Sequence, residues 1–270
     1  MKIMKTKLSI LLLLMFCFVE AQAKLSTFKN EVKDSYNFWF YEPKKESAND
    51  TIRKPLVIFL HGRSLCGNNL QRVLRYGTLD ALIGGRDIGG YLLAPQNPGT
   101  AWNPHKIMKI VDWAIEKYHI DPARVYVLGM SLGGFGTLDL AAAYPDRIAA
   151  AMALCGGATS KTVGNLNYVP LWIIHGTADK AVSVNESRIV VKKMKKAGQT
   201  NLLRYDEWKG VNHSALARIF YLPETYEWLL KHSLKDNPKR VNRDVIIKPE
   251  TLKSAYKDFN HKATIHNFEK

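Results

Sequence analysis

Ser131 stands between Gly129 and Gly133 at the junction of two unlike stretches of chain. Residues 125–128 are a continuous apolar run of β type, and residues 135–144 are helix-like. A serine in such a strand-to-helix turn is pushed out of the chain under local strain. Small neighbours are needed because the turn is too tight for a Cβ on either side. A glycine-x-serine-x-glycine match arises by accident in roughly one chain of this length in ten. The flanks and the rest of the chain therefore decide whether Ser131 is a nucleophile or the exposed serine of a glycine-rich turn.

Strand-like and helix-like runs alternate after residue 55. Residues 55–60 are apolar and end at His61-Gly62, and residues 91–94 form a second short run. Residues 69–83 are mixed and helix-compatible. Ile107, Val111, Ala114, Ile115 and Tyr118 share one helical face. Residues 125–130 are the strand before the serine and 132–144 the helix after it. Further strands are read at 148–154, 170–174 and 202–208, and a closing helix at 221–234, with Pro223 in its first turn. Near-continuous apolar strands alternating with helices predict an α/β fold, a mostly parallel central sheet with helices on both faces. Residues 36–41 read as an earlier, antiparallel strand. The stretch 158–168 is too short for a helical lid, so an open cleft is expected.

In such a sheet, ligands gather beyond the carboxyl ends of the strands. The reactive residues fall at those ends: His61-Gly62, Ser131, Cys155, the turn 175–182 and His213. Serine-based cleavage of an ester or amide needs a base, an acid to hold that base's tautomer, and amide donors for the oxyanion. Asp179, in a turn just past a buried strand, is the candidate acid. The competing reading is an aspartate that only caps its own turn. Of eight histidines, only His213 lies in a loop beyond that acid and past a strand. His61 and His175 precede glycines at strand ends, where an imidazole braces a turn. The order Ser131, Asp179, His213 is the one a nucleophile-elbow enzyme requires. The backbone N–H of Leu132, at a helix N-terminus, is the first expected oxyanion donor. The second is the amide of Arg63, with Ser64 as the alternative. Trp102 and Trp208 are candidates for lining the cleft and binding substrate, with core packing as the other reading.

The 270 residues suit one domain of ordinary size, 46% of them hydrophobic. Residues 1–23 read as a secretory signal peptide: Lys2, Lys5 and Lys7, an apolar run at 8–19, then Ala21-Gln22-Ala23. A periplasmic or secreted protein, with no stable membrane insertion after cleavage, is expected. The chain carries 39 basic and 24 acidic residues, a charge of +15. Its lysines are scattered rather than striped with aromatics, and no nucleic-acid motif is present, so nucleic acid is not an expected partner. Export leaves Cys66 and Cys155, which can pair without being required to. Residues 24–234 are read as the catalytic domain. Residues 235–270 form a basic extension with one strand-like triplet, Val245-Ile246-Ile247, and it can pack back, pair with a partner or stay loose.

Three segments resemble the α/β-hydrolase family over residues 36–234. Phe59-Leu60-His61-Gly62 is similar to its oxyanion segment. Gly129-Met130-Ser131-Leu132-Gly133-Gly134 is similar to its nucleophile elbow, and His175-Gly176-Thr177-Ala178-Asp179-Lys180-Ala181-Val182 to its acid turn. Asp121-Pro122-Ala123-Arg124-Val125-Tyr126 and Tyr144-Pro145-Asp146 resemble its branch of secreted esterases and predicted peptidases. That branch is similar to feruloyl and acetylxylan esterases and to the catalytic domains of prolyl oligopeptidase-like enzymes. The resemblance implies hydrolysis without metal or organic cofactor and does not fix the acyl group; export and the missing lid lead to the expectation of a small-molecule or polysaccharide ester as substrate. A small secreted serine peptidase is the alternative, and a non-catalytic binding protein on a hydrolase scaffold is the alternative of another class.

Overall fold

The structure, a computed structural model, describes residues 22–44 and 51–263. The signal-peptide reading falls almost wholly on residues outside that range. Eight strands form one sheet: β1 (Lys24–Phe28), β2 (Phe38–Glu42), β3 (Lys54–Leu60), β4 (Tyr91–Pro95), β5 (Ile120–Met130), β6 (Ala150–Leu154), β7 (Leu171–Gly176) and β8 (Leu203–Trp208). Their order is β1-β2-β4-β3-β5-β6-β7-β8. β1 and β2 pair antiparallel, β2 joins β4 antiparallel, and β3 to β8 run parallel. β1 lies just past the expected cleavage point and was not legible as a strand.

The parallel strands are buried along both faces, which is why they read as unbroken apolar runs. Alternate residues feed two separate cores. Val57, Phe59, Leu128, Met152 and Ile174 point to one, and Leu56, Ile58, Val127, Ala153 and Ile173 to the other. The first core is covered by α1 (Thr78–Ile83) and α6 (Pro223–Leu230), with Leu79, Tyr226 and Trp228. The second is covered by α2 (Pro104–Lys117), α3 (Leu132–Ala143) and α4 (Asn185–Ala197), through Ile107, Leu138 and Val190. α2 starts where Asn103 accepts the His105 and Lys106 amides and Pro104 fills the first helical position. A short helix, α5 (His213–Leu216), follows β8.

The helix-compatible stretch 69–83 is two pieces, a 3₁₀ turn at Leu70–Arg75 and α1. Gly77 separates them at φ 97, with the Phe59 ring where a Cβ would sit, 2.2 Å away. The connection 158–168 is a loop and the 3₁₀ turn Val163–Tyr168, with no lid. Beyond residue 234 the described chain lies on the first core. Val241, Val245, Ile247 and Leu252 are buried there, the Arg204 guanidinium donates to the Val245 carbonyl at 2.7 Å, and Phe259 packs over Gly84. Val245-Ile246-Ile247 alternates as a strand does, yet it joins no sheet. No helix among the described residues is long and apolar enough to cross a membrane.

Candidate active site

The carboxyl ends of β5, β7 and β8 bring Ser131, Asp179 and His213 to one end of the sheet. Ser131 has φ 59 and ψ −123, a conformation L-residues avoid and that stores about 1–3 kcal/mol. Two backbone bonds hold it there: its N–H donates to Leu154 at 2.9 Å, and its carbonyl accepts from Phe135 at 3.0 Å. The flanking glycines are required by contact as well as by turn geometry. A Cβ on Gly133 would lie 1.8 Å from the Leu60 carbonyl oxygen, and one on Gly129 would lie 2.6 Å from it. The serine turn is therefore pressed against the end of β3, just before His61-Gly62.

The acid turn and the histidine loop are tied to each other before any side chain is considered. Thr177 N–H donates to Trp208 at 2.9 Å and Ala178 N–H to Val211 at 3.1 Å, while the Thr177 hydroxyl accepts from Gly210 at 3.0 Å. Gly176 permits that approach, since a Cβ there would be 2.1 Å from the Val211 carbonyl oxygen. Asn212 caps α5 by accepting from Ala215, which sets His213 at the first helical position. His213 Nδ1 then donates to Asp179 Oδ2 at 2.6 Å. Oδ1 of the same carboxylate accepts the Ala181 and Val182 amides at 2.9 and 2.8 Å. Burial pushes the Asp179 carboxyl upward. The Val182 amide, His213 and the Ala181 amide outweigh it and hold the group below the usual carboxylate range.

Ser131 and His213 both open onto a cleft of about 640 Å³. Its wall includes Gly62, Arg63, Ser64 and Tyr76 on one side and Leu132, Phe135 and Val182 among its apolar members. Leu132 opens α3, where the first amides lack intrahelical acceptors. Arg63 opens the 3₁₀ turn Arg63–Leu65 directly after Gly62. A Cβ on Gly62 would stand 3.6 Å from Ser131 Cβ, so the Arg63 turn starts beside the serine. His61 braces this segment: Nε2 accepts from Asn97 at 3.0 Å, so Nδ1 carries the proton and donates to the Gly62 carbonyl at 2.8 Å. Burial drives its pKa down to about 4.

Trp102 and Trp208 correct the expectation that they line the cleft. Trp102 is 4% exposed, packs against His61 and Tyr36, and donates its indole N–H to the His61 carbonyl. Trp208 is 7% exposed within the first core. Both rings brace the site from inside rather than facing substrate. Sequence reasoning missed Tyr76, whose hydroxyl is 2.7 Å from that of Ser64 and 3.2 Å from a Cβ position on Gly62. No local pattern marks it, because the fold alone brings the end of one 3₁₀ turn over the oxyanion segment.

Cys155 lies behind the pair, at φ 39, with its sulfur, a carboxylate oxygen of Asp179 and a ring nitrogen of His213 all within 4.8 Å. Burial and the Asp179 charge push its thiol well up, which keeps it protonated and unreactive. Those three donor types suit a metal, but two ligands of one tetrahedral zinc stand about 3.3 Å apart. The 2.6 Å contact is that of a hydrogen-bonded pair. Cys66 and Cys155 are not joined in a disulfide.

Acetylxylan esterase A of Emericella nidulans is 30% identical over 135 residues, 44% of this chain and 41% of that protein. Acetylxylan esterase A of Aspergillus awamori is 37% identical over 150 residues, 50% of this chain and 46% of that protein. The chain thus spans less than half the length of these curated relatives. Among solved structures, a thermostable esterase superposes with a TM-score of 0.61 at 26% identity, over 78% of this chain and 63% of its own. The family model for the alpha/beta hydrolase fold matches residues 55–239, and the chain belongs to that family.

Proposed function

We propose that the chain is an exported serine hydrolase that cleaves carboxylic esters, acting on acyl groups linked to carbohydrate. The observation that carries this reading is the His213–Asp179 bond at the rim of the cleft that Ser131 also lines. With Nδ1 committed to Asp179, Nε2 of His213 is the lone pair available to take the Ser131 proton. Ser131 Oγ attacks the ester carbon, the Leu132 and Arg63 amides receive the oxyanion, and His213 returns its proton to the departing alcohol oxygen. Water, activated by the same histidine, then releases the acid from the acyl-enzyme. The carbohydrate part of the proposal rests on the relatives, acetylxylan esterases by name. It is also supported by the described stretch 158–168, which holds a 3₁₀ turn and no helical lid. Export rests on residues 1–23 and places the enzyme in the periplasm or outside the cell.

The test is turnover of p-nitrophenyl acetate and release of acetate from acetylated xylan by the purified chain. Wild type is expected to do both, and Ser131→Ala is expected to fall to the rate of buffer alone. Equal rates for the two proteins would end the proposal. Faster cleavage of an aminoacyl arylamide than of simple esters would replace it with a peptidase.

A further inference from the structure

A second buried histidine stands behind the acid. His175 ends β7 and is fully buried, and its two ring nitrogens meet different environments. Nε2 faces only oxygens: the Val182 carbonyl at 3.0 Å and Asp179 Oδ2 at 3.5 Å. A proton on Nε2 is required, since a lone pair there would oppose both. Nδ1 meets the Ser187 hydroxyl at 2.8 Å, and that hydroxyl also lies 2.8 Å from the Gly156 carbonyl. The Ser187 hydroxyl has one proton to share between the Gly156 carbonyl and Nδ1, so the two oxygens at Nε2 are what fix the His175 tautomer.

The chain of contacts links parts of the site that are otherwise separate. Val182 ends the acid turn and lines the cleft. Ser187 is in the first turn of α4. Gly156 packs so closely on the nucleophile helix that a Cβ on it would lie 2.5 Å from the Gly134 carbonyl carbon. Around the imidazole stand Asp179 from the acid turn, His213 from α5, Glu207 from β8 and Ser187 from α4. Glu207 is itself paired with Arg188. One carboxylate cannot neutralise two imidazolium ions, and burial favours the neutral form of His175.

We propose that His175 is a positioning residue for the acid, its Nε2–H pinning the carbonyl of Val182, whose own amide donates to Asp179. Its kinetic readout rests on the ester-hydrolase reading, so a readout without turnover is paired with it. His175→Gln can still present an amide N–H where Nε2 stood, whereas His175→Asn reaches only the Ser187 side and His175→Phe keeps the ring without donors.

In protein shown to be folded by circular dichroism, His175→Asn and His175→Phe are expected to lose about ten- to a hundredfold in kcat with KM within about twofold. The acid limb of kcat/KM should move to higher pH, because an unpinned turn loosens the Val182 amide on Asp179 Oδ1 and leaves more of the carboxylate's charge to its imidazole partner. His175→Gln should stay within about threefold and keep the wild-type limb. The His213 Nδ1–H proton resonance should move in the Asn variant and hold in the Gln variant, whether or not esters are turned over. Equal behaviour of the Gln and Asn variants, or a wild-type limb and resonance in His175→Phe, would overturn the proposal. Should the Asn and Phe variants not fold, a moved limb and resonance in His175→Gln, which keeps the N–H, overturn it equally. A wild type that turns over no ester, with the resonance behaving as described, would instead refute the ester reading alone.

Discussion

At Asp179 the acceptor sites are filled from opposite directions: two turn amides on Oδ1, His213 on Oδ2. This division makes the carboxylate rigid as well as anionic, so it sets both the tautomer and the orientation of His213. Asp179→Asn keeps the shape but presents an amide, and is expected to lower kcat about ten-thousandfold with little change in KM. Steady-state kinetics on an activated acyl ester checks this; a loss under tenfold would mean that Asp179 only caps its turn. The three principal residues were legible because each sits where a strand pattern stops. The tryptophans were not, because an aromatic residue in a loop reads alike whether it faces solvent or core. Trp102 is fixed inward by the His61 carbonyl and by Gly136, whose missing side chain leaves room for the indole.

Among elements, the junction of β5 and α3 carries the tightest constraint. The contact of Gly133 with Leu60 means that Gly133→Ala must move β3 or the serine turn. A loss of about 1–3 kcal/mol in urea unfolding is expected, together with reduced ester turnover, because the displaced segment carries the amides proposed to receive the oxyanion. Unchanged stability and rate would show that the turn has slack. Most strands were legible from composition alone, since burial on both faces makes them apolar throughout. α4 was not, although Val190, Val191 and Met194 form its buried stripe. Lysines and an arginine crowd the other positions, so the narrow stripe is hard to see against the charge. β5 runs back to Ile120, past Pro122, where the sequence reading began only at Val125.

For the molecule as a whole, three buried histidines among the described residues make stability depend on acid. His61, His175 and His232 all have pKa values lowered by burial, that of His61 to about 4 from 6.5. Above pH 6.5 these rings are neutral in both folded and unfolded chain. Below it the unfolded chain binds protons that the folded one does not, so stability falls as pH drops toward 4. His61 alone is expected to remove on the order of 2 kcal/mol between pH 7 and pH 5. Urea titrations at the two pH values read this directly, and equal midpoints would contradict it. The extension past residue 234 belongs to the same body, because Val241, Val245, Ile247 and Leu252 complete the first core. Truncation after Arg240 should lower the melting temperature by several degrees or give insoluble protein. Its sequence left three arrangements open, since the Val245 and Asn242 carbonyls accept from the Arg204 and Trp228 side chains rather than from a neighbouring strand.

The most direct test of Ser131 as an activated nucleophile is intact-mass analysis of the folded chain after reaction with a fluorophosphonate. One adduct per molecule, mapped to the peptide bearing Ser131 and missing from His213→Ala, is the expected result. No adduct on folded wild-type protein, or equal labelling when His213 is removed, would contradict the account.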